Sequence, residues 1–139
     1  MQRCVSASAV ALAAFGLALA PAGSAIGATT LSCPAKPFSA DILRGPDRDL
    51  SLVGRLAFHV TAAGRVSGTL KTSSDRVPVS GSVTGRSLRL AFHLAGGLQL
   101  AGVGSADAPI TTCAGMPTRG KATGPRPGDT GRWGYALGG

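Results

Sequence analysis

The two histidines, His59 and His93, are where metal binding or proton transfer would have to begin. Each ends a copy of the same tetrapeptide, Leu56-Ala57-Phe58-His59 and Leu90-Ala91-Phe92-His93. Two copies are too few for a solenoid and reflect one strand chemistry used twice. On the first and fourth strands of a meander the histidines would stand roughly 14 Å apart. A zinc site needs each nitrogen about 2 Å from the metal, so no metal is expected. Asp47 and Asp49 flank Arg48 as at the start of a calcium loop, but the glycine at the sixth position and the glutamate at the twelfth are missing; turn chemistry is the expectation. Gly115 to Lys121 has the spacing of a phosphate-binding loop, yet Ala122 stands where the magnesium-binding hydroxyl belongs. Gly81-Ser82-Val83-Thr84-Gly85 places its serine one position early for a nucleophile elbow. With no glutamate, a carboxylate acid–base pair would have to come from six aspartates, most of them in turns. No catalytic residues and no cofactor are therefore expected, and a hydrolase built on either histidine ranks third among the functional readings.

Charge is the stronger signal. Fourteen Arg and Lys face six Asp, a net charge of +8. Such a balance favours anionic partners, such as cell-envelope polymers, lipid head groups, nucleic acid or an acidic protein surface, or serves solubility alone. Arg55, Arg65, Lys71 and Arg89 fall on the polar face of the strands described below and are the candidate polyanion contacts. Arg119, Lys121 and Arg126 lie in a Gly-, Pro- and Thr-rich stretch, 114–131, expected to be a mobile loop that enters an acidic cleft on a partner. Trp133 and Tyr135 are the only Trp and Tyr. They read either as a stacking platform for a flat ligand or as a plug over one end of the fold.

The elements that position these residues follow from period-two alternation. Between Leu52 and Gly104 the chain reads as five short strands joined by short turns, three of the four bearing glycine and the fourth being Thr72 to Asp75. Leu56, Phe58 and Val60 share one face, as do Val66 and Leu70, Val77, Val79 and Val83, and Leu88, Leu90, Phe92 and Leu94. The opposite faces are polar and basic, the pattern of an antiparallel sheet packed on one side. Gly68 and Gly81 sit in line with the inward residues, which suits a sheet coiling into a small barrel. Pro78 points outward and predicts an edge or a bulge. Phe38 to Leu43, Ile110 to Cys113 and Arg132 to Leu137 add strand candidates, with Thr29 to Lys36 as a lead-in. The predicted fold is all-β, an up-and-down meander of six to eight strands forming a barrel or sandwich.

Residues 1–28 read as a secretory signal: Arg3, an apolar run from Val10 to Ala20, then small residues at Ala22, Ala25 and Ala28 as alternative cleavage points. The run is short of the ~20 residues that span a bilayer, so no stable membrane span is expected once the leader is cleaved. Residues 29–139 then form one exported domain, secreted or held at the cell envelope. Cys4 leaves with the signal, and Cys33 and Cys113 remain to form one bridge, the alternative being two free thiols. The alternation with glycine turns is similar to that of small exported up-and-down barrels such as the avidin-like and lipocalin-like groups. Their aromatic motifs do not occur at matching positions, and the likeness assigns no family. The functional expectation is an exported, non-catalytic binding module for an anionic polymer outside the barrel or an apolar ligand inside it. The alternative is a secreted interaction or inhibitor domain acting through 114–131.

Overall fold

A computed structural model describes residues 30–136. The signal expected at 1–28 and Leu137, the end of the last strand candidate, lie outside the described residues. Eight strands follow in order: β1 Leu31–Arg44, β2 Ser51–Val60, β3 Arg65–Lys71, β4 Arg76–Thr84, β5 Ser87–His93, β6 Gln99–Ser105, β7 Arg119–Thr123 and β8 Thr130–Tyr135. Each pairs antiparallel with the next, and β8 closes on β1, so the sheet is a barrel without free edges.

The alternation that predicts β2 to β6 is found except at Leu94, which lies beyond the end of β5 and is only partly buried. Leu56, Phe58, Val60, Val66, Leu70, Val79, Val83, Leu88, Leu90, Phe92 and Leu100 are all buried. Gly68 and Gly81 lie where a Cβ would meet the neighbouring strand at 2.2 Å from the Ala57 carbonyl and 1.9 Å from the Arg89 carbonyl. Only glycine permits strands this close on the concave side of a tightly coiled sheet. Pro78 carries neither a bulge nor a free edge. The β4–β5 ladder begins at Val79, one residue later, so the missing N–H costs that ladder nothing.

Three expectations need correction. Thr29 to Lys36 is not a lead-in: β1 begins at Leu31, and a register shift between Cys33 and Lys36 absorbs Pro34, which cannot donate to a ladder. Ile110 to Cys113 is not a strand; it ends in a 3-10 turn, Cys113–Gly115. The stretch 114–131 is not one loop. It contains β7, paired to β6 through Ala101, Gly102 and Val103 and to β8 along its whole length.

The interior is filled by side chains. In a closed barrel of eight strands β1 and β5 stand opposite each other, yet Phe38 of β1 and Phe92 of β5 have ring centroids 4.8 Å apart. Phe38 also stacks on Trp133 at 6.1 Å, and Phe58 meets Tyr135 at 5.8 Å. Such ring pairs contribute ~0.5–1.5 kcal/mol each beyond area burial. The Trp133 indole lies over three inward glycines. A Cβ would come within 2.9 Å of the indole at Gly102, and within 2.7 Å at Gly104 and at Gly120. The indole N–H donates to the Val103 carbonyl at 3.1 Å, so the one polar atom of the ring is satisfied.

The two ends are closed differently. At one, the β6–β7 connection (106–118) buries Ile110 and Met116 and docks on the β4–β5 turn, Ile110 N donating to the Gly85 carbonyl and Ala106 N to the Arg86 carbonyl. A disulfide from Cys113 to Cys33 of β1, Cα atoms 5.5 Å apart, fastens it there. At the other end Asp129, 2% exposed, joins two turns. One carboxylate oxygen accepts from the Asp47 N–H at 2.7 Å and the other from the Arg126 N–H at 3.0 Å. A Cβ at Gly45 or at Gly124 would strike this carboxylate at 2.5 or 2.6 Å, so both turns carry glycine where they meet it.

Candidate functional site

Outward residues of a barrel are placed side by side by register, and register sets which charges meet. Arg55 of β2 is directly opposite Lys71 of β3, and Lys71 is directly opposite Arg76 of β4. All three are exposed. Directly opposed residues have Cβ atoms about 4.5–5.5 Å apart, and like charges in that position destabilise a sheet. Arg55 turns one guanidinium nitrogen to the Ala35 carbonyl at 3.1 Å. Among the described residues the one ion pair is Arg126–Asp47, so no member of the triad is held in an ion pair; the Asp75 carboxylate adjoins Arg76 in the β3–β4 turn.

A second row crosses the other side of the barrel. Ser82, Arg89, Val103, Lys121, Arg132 and Asp41 are successive cross-strand partners from β4 through β8 to β1. Lys121 and Arg132 are adjacent like charges, as in the triad, and Asp41 ends the row with one oxygen already accepting from the Ser51 hydroxyl at 2.8 Å. Arg65 starts the same row on β3, opposite Ser82. The four candidate polyanion contacts therefore divide: Arg55 and Lys71 join Arg76, which the alternation alone did not single out, while Arg65 and Arg89 belong to the second row.

The expected partner loop does not stay together. Arg119 and Lys121 are outward residues of β7, whereas Arg126 sits in the β7–β8 turn. There its Nε donates to Asp47 Oδ2 at 3.0 Å and its Nη2 to Asp47 Oδ1 at 2.9 Å, and Nη2 also reaches the Pro46 carbonyl at 3.3 Å. The pair holds the Asp47 carboxyl below its ordinary value, first through the Arg126 hydrogen bond, and raises Arg126 in turn. Asp47 and Asp49 lie in the β1–β2 turn as turn chemistry requires, Asp49 with φ of +82°. Trp133 and Tyr135 are 3% and 4% exposed and so offer no stacking platform; both belong to the buried core. Burial raises the Tyr135 phenol above its ordinary value.

His59 and His93 are both exposed on the outer face, on β2 and β5. His93 Nε2 is 2.8 Å from the Ser80 hydroxyl, a contact that the sequence spacing does not reveal because it spans the β4–β5 hairpin. Among the described residues no carboxylate hydrogen-bonds to His93, and none of their His, Cys, Asp and Glu side chains cluster in threes as a metal would need. A serine–histidine contact on an open strand face has neither the orienting third group nor the oxyanion donors that acyl transfer uses. No helix among the described residues is long and apolar enough to cross a membrane. No protein family, curated protein or solved structure matches the chain.

Proposed function

We propose that the chain is an exported, non-catalytic module that binds a linear anionic polymer, such as an anionic polymer of the cell envelope, on the outside of its barrel. The observation that carries this reading is the cation-only register Arg55–Lys71–Arg76. Three aligned cations on adjacent strands repel one another in the free protein, and a polyanion turns that repulsion into attraction. The second row of cations lets a long polymer make further contacts around the barrel. The filled interior argues for the outside: with rings from opposite strands in contact, an apolar ligand has no room at that level of the barrel. The Cys33–Cys113 bridge is compatible with the oxidising compartment that an exported module meets.

The test is retention on immobilised polyphosphate and on cell-envelope fractions as a function of salt. Retention should weaken steeply between low and high salt. In a Lys71→Gln, Arg76→Gln double variant the slope of log affinity against log salt should fall by roughly 0.7–0.9 per cation removed. Salt-insensitive retention, or a double variant that binds like the parent, would contradict the proposal.

A further inference from the structure

Gly134 is a glycine without a conformational reason. Its backbone is not among those with positive φ, and it lies within β8 rather than in a turn. It does not face the core either, because Trp133 and Tyr135 on each side of it point inward. Among the outward positions of β7, β8 and the adjoining part of β1, it is the one with no side chain. Its cross-strand partners are Arg119 on β7 and Ser39 on β1. The next outward row, two residues along, is Lys121, Arg132 and Asp41. The result is an open groove of about 550 Å³ whose lining includes Gly134, Arg119, Arg132, Ser39 and Asp41. That volume lies in the range of small-molecule sites.

The chemistry of the lining defines a ligand. Arg119 and Arg132 are diagonal neighbours, roughly 7–8 Å apart at their stems, and among the described residues neither is held in an ion pair. A carboxylate is satisfied by a single guanidinium fork, whereas a tetrahedral group with three free oxygens presents edges to two forks at once. The Ser39 hydroxyl supplies a further donor from the opposite wall. Asp41 would repel a bare anion, but it can accept a hydroxyl hydrogen from a ligand that carries its hydroxyls next to its charge. We infer that the groove over Gly134 is a binding site for a phosphate or sulfate ester of a sugar or polyol. The ester oxygens lie over the Gly134 backbone between Arg119 and Arg132, and a ligand hydroxyl donates to Asp41. This site lies on β7, β8 and β1; it shares Arg132 and Asp41 with the second row but lies apart from the triad on β2 to β4 that carries the polymer reading.

Two-dimensional amide NMR titration of the protein tests it, with glucose 6-phosphate, glucose 6-sulfate, glucuronate, inorganic phosphate and glucose as probes. The two esters should shift the Gly134, Arg132 and Ser39 amides and bind at least tenfold more tightly than glucuronate, glucose or inorganic phosphate; the ratio between the two esters reports which is preferred. Gly134→Val, a strand-favouring change at an outward position, should weaken ester binding at least tenfold, and Arg119→Gln should do the same without filling the groove. Asp41→Asn should erase most of the preference for the ester over inorganic phosphate. Neither Gly134→Val nor Asp41→Asn should lower the salt-dependent retention on polyphosphate, which separates failure of this site from failure of the triad. Ester binding unchanged in both Gly134→Val and Arg119→Gln, shifts centred on other strands, or glucose bound as well as its esters would each overturn the inference.

Discussion

Asp129→Ala is the sharpest probe of how the barrel is held shut. The Asp129 carboxylate is almost wholly buried and accepts the Asp47 N–H at 2.7 Å and the Arg126 N–H at 3.0 Å. The first joins the β1–β2 turn to the β7–β8 turn, across the line where the last strand closes on the first, and the second braces the β7–β8 turn itself. Alanine removes both acceptors and leaves two backbone donors in a space that glycines at 45 and 124 shape around the carboxylate. An orphaned donor costs about 1–3 kcal/mol, so two cost about 2–6 kcal/mol. Relief of the burial of a charged group offsets part of this. A net loss of about 3 kcal/mol is the expectation, which for a domain near 100 residues lowers Tm by about 12–24 °C. Arg126→Ala provides the comparison. Its guanidinium is 59% exposed in its pair with Asp47, and exposed pairs contribute little, so Tm should move far less. Thermal unfolding by circular dichroism measures both, and hydrogen exchange should show the Asp47 and Arg126 amides losing protection in Asp129→Ala. Equal Tm shifts in the two variants, or amides that stay protected, would refute the argument that the buried carboxylate, and not the exposed ion pair, closes the seam.

Two further predictions concern the other end and the core. The Cys33–Cys113 bridge closes a sequence separation of 80 residues, for which loop-closure entropy gives about 4.5 kcal/mol; a Cys33→Ala, Cys113→Ala double variant should melt well below the parent while keeping its β-type circular dichroism, and an unchanged Tm would count against the bridge as a stabiliser. Tyr135 has its phenol raised above the ordinary value of 10.0 by burial. A raised folded value means that this contribution is intact below pH 10 and is lost as pH rises from there through the folded value. The parent should therefore lose Tm above pH 10 more steeply than Tyr135→Phe; parallel pH profiles would show that burial does not raise the phenol in the folded state.

What was legible in the sequence, and what was not, divides along physical lines. The strands from β2 to β5 are readable because inward Leu, Val, Phe or Gly alternate with mostly polar residues, whereas in β6 the alternation fades after Leu100. Strand β7 is not, because its inward residues are Gly120 and Ala122, and neither registers as hydrophobic. Gly120 has no side chain because the Trp133 indole occupies the space one would fill. The start of β1 is hidden by Pro34, which argues against a strand until the register shift that absorbs it is seen. The cation triad was half visible. Alternation puts Arg55 and Lys71 on the outer face, but which residues stand opposite them depends on turn lengths and register, and only pairing brings Arg76 into line. Asp129 carries no local signal beyond a glycine before it, since its partners are backbone groups, one of them in a turn 82 positions away.

The relation between Trp133 and its glycines also bears on where function can lie. A small eight-stranded barrel has an interior just wide enough for side chains to fill or for one small ligand to occupy. Here the interior receives Phe38, Phe58, Phe92, Trp133 and Tyr135, every one of them buried. Glycine at 102, 104 and 120 makes room for the largest ring without widening the barrel. A barrel built to hold a ligand would use small inward residues to leave a void; this one uses them to seat an indole whose N–H is already bonded to Val103. On the outside, the register of β2, β3 and β4 sets their cations side by side. A filled interior and like charges crowded on the outer face both direct the search for a partner to the outside of the barrel.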